Sequence, residues 1–160
     1  MPDLLQPIIN EPLKKNRWLA IFPSELGIQS WMLSSGQRPS FEGGETEIPF
    51  LDTSIFVAGR FTWNSIDITL RSYFGPSTTQ AVMEWLRTIH ESSTGRSGYQ
   101  AGYKKQIFLV MLDPTGVAVE KWLLDGTFIT NVNFGDLSMD DDGVADITLT
   151  LRFDRAINLF

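Results

Sequence analysis

With 160 residues, 42% of them hydrophobic and 20% charged, the chain is long enough for one domain with a real core and has an ordinary globular balance. A formal net charge of −6 and a pI near 4.7 argue against tight DNA or RNA binding, which needs a basic excess. The lack of cysteine removes disulfides, thiolate catalysis and cysteine-based zinc sites, and fits a reducing compartment.

Residues 1–16 carry prolines at 2, 7 and 12 and end in Lys14-Lys15, which reads as an N-terminal arm and not as a signal peptide. No stretch approaches the ~20 apolar residues of a spanning helix, so no membrane contact is expected. Residues 17–22 form a short apolar strand, 23–27 a turn, and 28–33 a further strand closed by Ser34-Ser35-Gly36. An acidic arm follows over residues 42–58, with Glu42, Glu45 and Glu47, a Gly43-Gly44 pair and Pro49. A compact domain has little use for such an arm unless it reaches another subunit. Ala58-Gly59 marks a bend or bulge. Beyond it the alternation is strict: Ile66, Ile68 and Leu70 share one face, and Asp67, Thr69 and Arg71 the other.

One helix stands out. Ser77 with Gln80 makes a capping box, and Val82, Trp85, Leu86 and Ile89 form one apolar stripe. Residues 91–103, with glycines at 95, 98 and 102, read as a mobile loop. Residues 107–112 are a continuous apolar run, expected as a strand covered on both faces. Asp113-Pro114-Thr115-Gly116 is a turn, 117–124 returns as a strand, and Asp125-Gly126 kinks it before 127–134. Asp140-Asp141-Asp142-Gly143 is expected as a tight turn. From 144 to 155 the alternation is clean again, with Asp146, Thr148, Thr150, Arg152 and Asp154 on the polar side. The sum is mainly β: a single domain over 1–160, an antiparallel sandwich or open barrel of about seven strands with one flanking helix.

Catalytic signals are weak. His90 is the sole histidine, at the helix end, where meeting the negative end of the helix dipole explains it without chemistry. Aligned to a calcium loop, Gly143 takes the sixth position and Leu149 the twelfth, so the bidentate carboxylate is missing. The glycines at 95, 98 and 102 match no phosphate-loop spacing. Carboxylate pairs occur by chance among 19 acids. Arg96, Lys104 and Lys105 form a small basic cluster, expected as solvated surface. No enzyme activity, metal or cofactor is expected.

Three blocks together resemble the tail tube protein of contractile-tailed bacteriophages. They are Ile48-Pro49 with residues 57–63 and the strand to Leu70; the helix with Val82 and Trp85; and residues 126–132, 137–140 and 146–154. Departures are Ile129, where the family often has proline, and Asp154-Arg155-Ala156, where aromatics commonly follow the aspartate. These leave open whether the ring is a main tube ring or a specialised terminator or initiator.

The resemblance implies a structural virion protein whose copies join sheet edges into hexameric rings that stack into the inner tail tube. That tube is a conduit for DNA delivery, made and assembled in the host bacterial cytoplasm. Implied partners are further copies, the tail sheath, the baseplate or tube initiator, the tail terminator, the tape measure protein, and double-stranded DNA passing without specific binding. Arm residues Glu42, Glu45, Glu47, Ile48, Pro49, Phe50 and Phe56 are expected at a subunit or inter-ring interface. Asp67, Thr69, Arg71, Asp146, Thr148, Thr150, Arg152 and Asp154 are expected to face the lumen. An acidic lining there would repel the duplex over about 8 Å at physiological salt, and Arg71 and Arg152 on the same faces make a mixed lining the alternative. The alternatives are the tube of a bacterial contractile injection or secretion system, and a small monomeric ligand-binding β-barrel.

Overall fold

The computed structural model describes residues 10–160, so residues 1–9 of the expected arm lie outside the described residues. Among the described residues, eleven strands and two α-helices follow in chain order. The strands are β1 (Trp18–Ile21), β2 (Leu33–Ser35), β3 (Phe41–Phe50), β4 (Thr53–Trp63) and β5 (Ile66–Arg71). Helix α1 (Thr78–Ile89) comes next, then β6 (His90–Glu91), β7 (Arg96–Ser97) and the single-turn α2 (Gln100–Tyr103). The chain ends with β8 (Lys105–Leu112), β9 (Ala118–Asn133), β10 (Asp146–Arg152) and β11 (Arg155–Asn158).

One antiparallel sheet of seven strands runs β1-β8-β9-β10-β5-β2, with β11 also on β9. Strand β9 is its spine. Its first half pairs with β8, and its second half pairs with β10. Strands β10 and β11 follow one another along it, from Thr148↔Asn133 to Asn158↔Trp122. The expected kink lies at Gly126, whose φ of 70° falls in the left-handed region. A Cβ there would also strike the Asp154 carboxylate. The bend turns the two halves of the sheet toward each other. Ala20, Ile107, Leu109 and Leu124 from one half share a core with Ile66, Ile68, Leu70, Ile147, Leu149 and Leu151 from the other. The path ends at β1 and β2, which do not pair, so the barrel stays open among the described residues.

The helix begins as its sequence indicates: the Ser77 hydroxyl accepts the Gln80 N–H at 3.2 Å. Thr78, Ala81, Val82 and Trp85 are buried against the sheet. Thr78 is fully buried, and its hydroxyl donates to Arg71 O and accepts from Tyr73 N–H, both at 3.1 Å. It thereby fixes the helix start to the end of β5.

Three readings of the sequence are corrected. Residues 28–33 are not a strand. Ser30–Met32 is a 3-10 turn, because the Ser30 hydroxyl donates to Ala20 O and Met32 N–H bonds Gln29 O instead of a ladder partner. Residues 91–103 are not one loop. They hold the β6–β7 pair and α2, fastened by Gly98 N–H to Ile89 O at 3.0 Å and by the Trp85 indole N–H to Tyr103 O at 3.0 Å. Residues 140–143 are not a tight hairpin turn but part of an irregular stretch, 134–145, between β9 and β10.

Candidate assembly surfaces

Among the described residues, strands β3 and β4 pair only with each other, from Phe41↔Trp63 to Phe50↔Thr53, and form a long hairpin outside the main sheet. Ten residues of strand reach roughly 33 Å. A bulge lies between Gly43 and Glu45, so Gly59 and Arg60 together face Gly44. The base is tied to the core through aromatics: Phe41 meets Phe61 at 5.6 Å and Trp63 at 4.9 Å, and Trp63 meets the buried Phe153 at 6.1 Å. Gly43 permits this, because a Cβ there would enter the Phe61 ring.

Beyond the base the hairpin is exposed on both faces. Paired positions share a face. One face therefore carries Ile48 opposite Ile55, Phe50 opposite Thr53, and Thr46 opposite Val57. Ile48, Phe50, Ile55 and Val57 remain 44–69% exposed, and Leu51 at the tip 89%. The other face carries Glu45, Glu47 and Pro49 with Phe56, which is 61% exposed. Glu42 lies near the base, opposite Thr62. All seven arm residues singled out in the sequence are thus exposed on this one hairpin.

The second surface is the outer face of β5 and β10. Arg71 lies opposite Asp146, Thr69 opposite Thr148, and Asp67 opposite Thr150. Two of these pairs are bonded across the strands: Thr150 Oγ1 donates to Asp67 at 2.8 Å, and the Thr69 and Thr148 hydroxyls meet at 3.4 Å. The Arg71 guanidinium donates to Leu33 O at 3.0 Å. Arg152 is exposed at the end of the row. The structure adds two residues that the sequence reading missed. Asn133 is opposite Thr148 and Asn131 opposite Thr150, so both extend the polar face onto β9. Their alternation around Val132 was the available signal, and the kink before it obscured the strand's phase.

Asp154 does not join this row. It sits past the end of β10 and pairs with Lys104 at 2.9 Å. Without it the row holds two aspartates and two arginines, so its formal charge balances, as the mixed alternative has it.

The third surface consists of open backbone edges. From Phe128 to Asn133, β9 pairs with β10 on one side, while β8 ends its pairing at Thr127. The far side of that segment and the outer edge of β2 are unpaired among the described residues. Open edges of this kind must be covered or paired.

The residues weighed for chemistry lie elsewhere. His90 is the C-cap of α1, and its Nδ1 lies 3.2 Å from the Ser97 hydroxyl, both exposed. In the acidic stretch, Asp141 accepts the Gly143 N–H at 2.9 Å. No group of three or more His, Asp or Glu side chains is placed to hold a metal among the described residues. No helix among them is long and apolar enough to cross a membrane. Lys104 and Lys105 are ion-paired, to Asp154 and to Glu25.

No protein-family model matches the sequence, and no curated protein matches it. Solved structures do. A chain of the tube-terminating cap of the anti-feeding prophage superposes with a TM-score of 0.76 at 16% identity, over 94% of this chain and 92% of that one. A chain of the sheath/tube terminator of PVC, an extracellular contractile injection system, gives 0.74 at 14% identity over 95% and 99%. A chain of the sheath–tube complex of PVC gives 0.71 at 16% identity over 99% and 98%. The mainly β chain, with its seven-stranded sheet and flanking helix, therefore has the fold found in the tube and tube-terminator assemblies of contractile injection systems.

Proposed function

We propose that the chain is a structural subunit that completes its β-structure on sister copies, closing into hexameric rings that stack as the inner tube of a contractile tail. The observation that carries this reading is the β3–β4 hairpin. A two-stranded hairpin is marginal alone in water, and this one leaves Ile48, Phe50, Leu51, Ile55 and Val57 open. Burial on a neighbour supplies what the chain itself does not. In the ring, the free edge of β9 at 128–133 pairs with the β2 edge of the next copy. The polar face of β5, β10 and late β9 then turns to the bore. Sheath, baseplate or initiator, terminator and tape measure contacts fall on the remaining faces.

The mechanism is physical. A duplex passes if the wall does not hold it. Binding grows with the phosphates neutralised and counterions released. Hydroxyls, amides and a balanced set of two aspartates and two arginines offer no cationic excess. Fixed cross-strand bonds, such as Thr150 to Asp67, also keep these side chains from reorganising around phosphate.

A second reading is favoured by the origin of the similar structures: the same tube in an extracellular contractile injection system, carrying other cargo than a genome. Electron microscopy with sedimentation velocity across a concentration series tests the shared part. Rings or hollow rods of uniform bore are expected. A monodisperse monomer at every concentration would sink both readings.

A further inference from the structure

On the reading of self-assembly, on which this inference rests, the hairpin needs a seat on a neighbouring copy. Glu45 and Glu47 lie on one hairpin face, with Phe56 directly across from Glu47. Neither glutamate forms an ion pair among the described residues. No side-chain hydrogen bond or ion pair joins residues 44–60 to the rest of the described chain. The exposed feature is an aromatic ring flanked by free carboxylates.

Its complement lies at the β1 margin. A groove of about 320 Å³ is floored by Trp18, Leu109 and Met111 and flanked by Leu13, Lys14 and Lys15. The opposite wall is residues 36–38, laid so closely on the Trp18 indole that a Cβ at Gly36 would stand 2.7 Å from the ring. Arg38 is already paired with Glu120 at 3.1 Å. Lys14 and Lys15 form no ion pair among the described residues and are exposed. The groove therefore has an apolar floor and, at its rim, two cations with no ion pair among the described residues. A ring flanked by carboxylates matches it in both polarity and charge.

We infer that this groove receives the hairpin of another copy, with Phe56 on the apolar floor and Glu45 and Glu47 against Lys14 and Lys15. The occupant is a second copy because the matching charge group is on the same chain and has no ion pair among the described residues.

The test is reciprocal charge exchange. Lys14→Glu with Lys15→Glu, and separately Glu45→Lys with Glu47→Lys, should each raise the concentration for half-assembly about tenfold or more, since like charges then meet. All four changes together should bring it back near the wild-type value. The chain has no native cysteine, so Leu13→Cys in one preparation and Phe56→Cys in another should give disulfide-linked heterodimers only when mixed and assembled. Assembly unaffected by both charge pairs, or no rescue and no mixed disulfide, would overturn the seat while leaving the tube reading intact. Leu13→Cys cross-linked to a third preparation carrying Leu5→Cys, in place of the Phe56→Cys one, would overturn it too. A wild-type chain that never assembles would remove both.

Discussion

Single residues decide several local questions. Trp85 and Trp122 are a contrasting pair. The Trp85 indole N–H donates to Tyr103 O at 3.0 Å, whereas the Trp122 Nε1 is buried with no partner among the described residues. Trp85→Phe takes a donor from a carbonyl; Trp122→Phe removes an unmet donor. Denaturant unfolding should show Trp85→Phe to be the more costly by about 1–2 kcal/mol; equal losses would show that packing volume alone governs both sites. Asp113 gives a pH prediction. Its carboxylate accepts the Thr115 hydroxyl at 2.8 Å and the Val117 N–H at 2.8 Å, and the hydroxyl bond first, then the backbone bond, hold its pKa below the ordinary 3.8. A lowered carboxylate contributes stability above its ordinary range and loses it as pH falls through the folded value. The Tm gap between wild type and Asp113→Ala should therefore be present at neutral pH and shrink in acid. A gap that widens in acid would contradict the assignment.

Among the elements, α1 was the most legible, because its start and its buried stripe are both written locally. Ser77→Ala should cost about 1 kcal/mol, read as a Tm shift; no shift would mean that the fixed Thr78 hydroxyl bonds suffice to start the helix. Strands β5 and β10 were equally plain, since strict alternation survives whatever they pair with. The 3-10 turn at Ser30–Met32 was hidden because Ile28 and Met32 are buried just as a strand would bury them. Only the Ser30 bond to Ala20 O, which is long-range, tells the two apart. The β6–β7 pair was hidden for a related reason: its fastening is backbone bonding, such as Gly98 N–H to Ile89 O, which composition does not encode. Asp154 was assigned to the polar row because alternation does not register the break after Arg152 that carries it to Lys104.

At the scale of the molecule, the exposed hairpin sets the expectations. Replacing residues 44–60 with a short turn should leave the core intact, since the buried core lies outside that segment. Unfolding should stay cooperative while assembly is lost; a variant that still forms tubes would show that the hairpin is dispensable. The proposed lining makes a separate prediction. Thr69→Lys with Thr148→Lys adds two cations to a balanced face, so variant tubes should retain duplex DNA at low salt and release it as salt rises. Retention equal to wild type would place that face away from the bore. The arm and the polar rows were visible in the sequence as unexplained length and strict alternation. The open β9 edge was not, because it depends on where β8 stops.

Cryo-electron microscopy of assembled particles tests the central claim most directly. The map should show the 128–133 edge of each copy hydrogen-bonded to residues 33–35 of its neighbour, with Asp67, Thr69, Thr148 and Thr150 lining the bore. A particle whose copies leave that edge in solvent and turn those four side chains outward would contradict it.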